Sequence, residues 1–172
     1  MNSIQDICKL YNIINYTVND DGSIDVDGDV DLSWCELTEL PLNFNRVTGY
    51  FNCSNNKLTT LKGSPKWIDG SFNCYNNILT SLEGSPKYVT LGVDCSCNRL
   101  TSLRFGPEKI GQDFLIYNNK LTDNYCDTEI GGDFYTSLRQ DGLEIKYTRC
   151  LNYNEWRKLY RRKQILDDLF KK

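Results

Sequence analysis

The sequence predicts a solenoid, a stack of short coils with a parallel β-sheet along one side and irregular turns along the other. Three observations predict it. Residues 49–69, 70–90 and 91–111 align without gaps at an offset of 21 residues, and a fixed period of that size is the mark of stacked repeats. Within each copy apolar residues alternate with polar ones, as at Phe72 and Cys74, which is the period of a short strand with one buried face. Gly63, Gly84, Pro65, Pro86 and Pro107 then recur where the chain must turn back.

The elements follow in chain order. Residues 1–27 are expected to close the N-terminal end, because a stack otherwise exposes its core there. Ser3 and Asp6 have the spacing of a capping box, and Ile4, Ile7, Tyr11 and Ile14 recur at helical spacing. NYTV and SIDV flank Asp21-Gly22 and read as a hairpin. The repeats occupy residues 28–137. One begins with Val30, Leu32, Leu37 and Leu40, and the last clear one supplies Phe114, Ile116, Asn119 and Leu121. A degenerate sixth starts at Phe134, where the spacing slips to 20, and Asn124 already replaces the leucine expected in register after Leu103. Stacking makes interior ladders of Leu58, Leu79 and Leu100 and of Leu61, Leu82 and Leu103. Residues 138–172 are expected to cap the far end: Leu143, Ile145 and Tyr147 alternate as a strand, and Trp156, Leu159, Leu166 and Phe170 form the apolar stripe of a basic amphipathic helix.

These residues resemble the leucine-rich-repeat family, whose unit reads L-x-x-L-x-L-x-x-N/C-x-L. Phe72, Cys74, Asn77 and Leu79 fill the last four marked positions of one copy, Asp69 stands where the first leucine would be, and Cys35 takes the Asn/Cys site of another. The resemblance covers residues 24–137 and is nearest to short repeats of secreted bacterial effectors and small bacteriophage proteins. It implies an α/β-type leucine-rich-repeat solenoid with helix-containing caps, and a binding scaffold in place of an enzyme. It also implies that Asn56, Asn77, Asn98 and Asn119 point inward and hold the turns. A bacteriophage protein that inhibits a host defence protein is the setting it suggests.

Length and composition agree with one soluble unit. The chain has 172 residues, 40% hydrophobic and 25% charged, ordinary values for a globular domain. The start lacks the basic and apolar regions of a signal peptide, so a cytoplasmic setting is expected and, with it, reduced thiols. The formal net charge of −3 is uneven: from residue 154 onward seven basic residues meet three acidic ones, leaving +4 there and −7 before it.

The candidate chemistry is thin. The chain contains no histidine, which removes Ser-His-Asp triads and His-containing metal sites, and it has no phosphate-loop or dinucleotide fingerprint. Neither a cofactor, a metal nor a catalytic residue is expected. Cys53, Cys74 and Cys95 stand at inward positions and are read as small hydrophobes. Asp25, Asp27, Asp29 and Asp31 alternate on one face of an extended segment and are read as a solvated acidic face, without the spacing of an EF-hand.

The outward strand positions are the ones the repeat leaves open. Asp31, Trp34, Asn52, Asn73, Tyr75, Asp94, Asp113, Tyr117 and Tyr135 are the expected contacts to a protein partner of basic or mixed surface. Two alternatives stay open. The basic C-terminal segment allows a nucleic-acid binder, or a small-ligand sponge working at a pocket beside it. Similar repeats precede a ubiquitin-ligase domain in bacterial effectors, but only about forty residues follow them here, too few for such a domain, and Cys126 and Cys150 have no catalytic framework around them. A membrane partner is not expected.

Overall fold

In the computed structural model, which describes residues 3–122, 126–140 and 143–150, the chain is a parallel β-solenoid of about five turns with a period of ~21 residues. Short strands run along two sides of each coil. The first sheet has the order β1-β2-β4-β6-β8-β10-β12. Its strands are β1 (Tyr16–Val18), β2 (Ile24–Val26), β4 (Phe44–Val47), β6 (Trp67–Ile68), β8 (Tyr88–Val89), β10 (Lys109–Ile110) and β12 (Glu129–Ile130). The second has the order β3-β5-β7-β9-β11-β13-β14. It is built from β3 (Val30–Asp31), β5 (Phe51–Asn52), β7 (Phe72–Asn73), β9 (Val93–Asp94), β11 (Phe114–Leu115), β13 (Phe134–Gln140) and β14 (Leu143–Cys150).

The interior is a set of ladders in the expected register. Val30, Phe51, Phe72, Val93, Phe114 and Phe134 pair strand to strand in sequence, so the strand of the degenerate sixth repeat keeps the ladder's register despite its 20-residue step. Leu58, Leu79 and Leu100, with Leu61, Leu82 and Leu103, are buried in one continuous core. Cys53, Cys74 and Cys95 lie in the same core as free thiols, and burial pushes Cys53 well above the usual thiol range.

The asparagine ladder works as the resemblance implied. Asn77 Nδ2 donates to the carbonyls of Cys53 and Cys74 at 3.0 and 3.1 Å, and its Oδ1 accepts from the Leu58 amide at 2.9 Å. One side chain thus satisfies backbone groups of two coils at once. Asn56, Asn98 and Asn119 repeat the arrangement.

Three expectations are corrected. The side opposite the first-recognised strands is a second parallel sheet and not a run of irregular turns. After Pro65, Pro86 and Pro107 an outward residue precedes a buried Ile or Val, and equal coil length brings these pairs into hydrogen-bonding register. Asp25, Asp27, Asp29 and Asp31 share no face, because the chain turns at Gly28 (φ 133°) from the first sheet into the second. The N-terminal helix α1 (Ile4–Leu10) has the Ser3–Asp6 capping box but stops before Ile14, which is 63% exposed. Cys8 and Ile13, outside the expected stripe, are its buried anchors, with Ile4 and Tyr11 packed beside them. The hairpin β1·β2 is present, and β2 is also the first strand of the parallel ladder. At the other end β14 is the expected strand, antiparallel to β13. The expected C-terminal helix and Asn124 lie outside the described residues.

Candidate functional site

The second sheet carries most of the residues singled out from the sequence, and its geometry gives several of them a structural task. Asp31, Asn52, Asn73 and Asp94 form one outward row. Each turns its side-chain oxygen back onto the amide two residues on, at Ser33, Ser54, Tyr75 and Ser96, over 2.9–3.1 Å. These are Asx turns, and they help end the strands after two residues. Asp113 lies before its strand and accepts from the Asp133 amide at 2.8 Å, as Asp29 does from Tyr50. Trp34 stands past β3 in a left-handed column (φ 53–58°) with Asn55, Asn76, Cys97 and Asn118. Asparagine tolerates that conformation, whereas tryptophan is strained by it.

One part of this face does converge. The neighbouring Cys97 thiol pushes the Tyr75 hydroxyl up, and Tyr117 and Asp94 lie close enough to add to the shift. Asn118 Nδ2 donates to Cys97 Sγ at 3.4 Å. Burial raises the Asp94 carboxyl above its ordinary value, against the Ser96 hydrogen bonds that lower it. Tyr135 continues the outward row beside Leu115.

The first sheet holds a patch that the sequence reading missed. Its outward row runs Asp25, Arg46, Trp67, Tyr88, Lys109 and Glu129. Trp67 and Tyr88 stack with ring centroids 4.1 Å apart and planes at 20°. Trp67 remains 47% exposed. Ion pairs fence the stack: Arg46 Nη2 to Asp69 at 2.7 Å, Lys87 Nζ to Glu108 at 2.8 Å, and Lys109 Nζ to Glu129 at 2.7 Å. The Tyr88 hydroxyl donates to Glu108 at 2.8 Å, and Lys87 and Tyr88 together hold that carboxyl below its usual range. The row borders a shallow hollow of about 760 Å³ lined by Arg46, Trp67, Tyr88 and Lys109 among others.

The chain matches no family model, no curated protein and no solved structure. The site therefore has to be read from its own chemistry. Among the described residues no group of three or more Cys, Asp or Glu is placed to hold a metal ion, and no helix is long and apolar enough to cross a membrane. What the first sheet offers is a fixed aromatic pair, a guanidinium and paired charges on a rigid surface. That arrangement suits non-covalent recognition of a folded partner. The signal that could have found it was present, since Arg46, Trp67, Tyr88 and Lys109 share the 21-residue register and precede Val47, Ile68, Val89 and Ile110. Pro65, Pro86 and Pro107, two residues before Trp67, Tyr88 and Lys109, disguised those strands.

Proposed function

We propose that the protein is a non-catalytic scaffold that binds another protein through an outward sheet face, centred on Arg46, Trp67 and Tyr88. The observation that carries this reading is the stacked, partly exposed Trp67–Tyr88 pair inside its fence of ion pairs. Trp, Tyr and Arg are the residue types that dominate protein–protein binding energy, above all at the centre of a patch whose rim excludes water. The stack is already formed in the chain alone, so little side-chain freedom is lost on binding. Inward leucine ladders and the asparagine ladder support reading the coils as leucine-rich repeats. A host protein as the target of a bacteriophage protein is the setting that resemblance suggests.

A second reading places contact on the other sheet, at Tyr75 and Tyr117, and is favoured by their convergence with Asp94 and Cys97. Affinity capture with the wild-type chain, the W67A/Y88A variant and the Y75A/Y117A variant separates the two. A stoichiometric partner held by wild type is expected to bind W67A/Y88A at least about thirtyfold more weakly, a loss of ~2 kcal/mol, and Y75A/Y117A unchanged. The reverse pattern moves the contact to the second sheet, and loss in neither variant refutes both faces.

A further inference from the structure

The first coil combines three features found together nowhere else among the described residues. Leu10, Ile14 and Trp34 are 68%, 63% and 75% exposed, the largest solvent exposures of bulky apolar side chains apart from Phe105 at 67%. β1 and β3 are the terminal strands of the two sheets, so each leaves one hydrogen-bonding edge without a strand beside it. Trp34 also holds a left-handed backbone (φ 58°) that Asn55, Asn76 and Asn118 occupy with less strain. A bulky apolar side chain that is both strained and open to water contributes nothing to its own coil, which directs attention to what covers it.

Charge identifies the occupant. Residues 1–44 hold nine carboxylates against Lys9 alone, a formal charge of −8, whereas residues 45–122 hold nine basic against five acidic residues. The acidity of the molecule is thus concentrated on the coil that exposes the apolar side chains. Residues 154–172 are its complement in sequence: seven basic against three acidic residues, with Trp156, Leu159, Leu166 and Phe170 at the spacing of an amphipathic helix. This segment follows β14, which terminates the second sheet at the end opposite β3. Six strand steps of about 4.8 Å separate those ends by about 29 Å.

We infer that the C-terminal segment 154–172 of one copy docks on the acidic, apolar first coil of a second copy, joining solenoids head to tail. Such a contact uses two different surfaces, so it does not close on itself in a pair and leaves one competent end at each terminus of the stack. It is independent of the sheet-face contact proposed above.

Sedimentation equilibrium of the 172-residue chain tests it. At low salt the average mass is expected to rise with concentration beyond the 19.9 kDa protomer. In 1 M salt, where the screening length falls to about 3 Å, it is expected to fall back toward that value. The L10S/W34N variant and the R161E/R162E variant are each expected to weaken association at least about tenfold. Mixed together they should form a dimer and nothing larger, because only one intact pair of surfaces remains. D20K/E39K offers a second lesion of the first coil at exposed side chains that take no part in its hydrogen bonds, and circular dichroism confirms that each variant is folded. A chain that stays monomeric to about 1 mM, association that survives in both first-coil variants, or variants that fail to pair on mixing would overturn the inference.

Discussion

Asp94 shows how one side chain in this protein serves geometry and electrostatics at the same time. Its oxygen accepts from the Ser96 amide at 2.9 Å, the bond that Asn73 and Asn52 make one and two coils earlier without a charge. Burial disfavours the carboxylate and raises its pKa above the ordinary 3.8. The folded chain therefore binds that proton more tightly than the unfolded chain, and stability falls as pH rises from 3.8 through the raised value. Above that window the whole penalty is present. D94N keeps the Asx turn and removes the charge. Thermal melts should show D94N more stable than wild type at neutral pH, with the difference closing as pH falls below 3.8. A D94N chain less stable than wild type at neutral pH would mean that the charge is used by something the turn does not explain. Sequence alone placed Asp94 on the outward face but left its hydrogen bond unread, because an Asx turn depends on where the strand stops.

At the scale of elements, the coil is held by its turn as much as by its strands. Two-residue strands give few ladder bonds, so the asparagine after each strand carries a large share of the order. Removing the Asn77 side chain leaves the buried Leu58 amide without the acceptor it provides, whereas the carbonyls of Cys53 and Cys74 keep their second donors, Asn56 and Asn98. At ~1–3 kcal/mol for a buried polar group left unsatisfied, N77A should cost about 1–3 kcal/mol in urea unfolding. A loss below about 1 kcal/mol would show that water fills the turn. The column also explains which sequence signals were easy to read. Leu, Phe, Cys and Asn at fixed intervals face a crowded interior that admits few shapes, and so they repeat. The first sheet was hidden because its outward residues, Arg46, Trp67, Tyr88 and Lys109, differ from coil to coil and follow a turn.

For the whole molecule, a stack whose coils touch only their neighbours gains its stability from a continuous interior and is weakest at its ends. The thiols report on this. Cys53, Cys74 and Cys95 are buried in the interior, whereas Cys35 is exposed. Under native conditions a maleimide should modify Cys35 promptly and the three stacked thiols only through opening of the coils, slower by at least about a hundredfold. Comparable rates at Cys35 and Cys74, read by mass spectrometry of the labelled peptides, would mean that the interior is not continuous.

The repeat, the identity of the inward ladders, the N-terminal capping box and hairpin, and a sixth strand in the ladder were all legible in the residues, because each depends on interactions within a coil or between equivalent positions 20–21 residues apart. Folding the chain into three dimensions settled other matters. It made the far side of each coil a second sheet, separated the four early aspartates onto different faces, and drew Asp31, Asn52, Asn73 and Asp94 into the backbone. It also brought Trp67 and Tyr88 to 4.1 Å on a fenced surface. The reason is the same in each case: periodicity tells which positions stack, but the direction in which a side chain points follows from where the chain bends, and the bends are set by packing between coils.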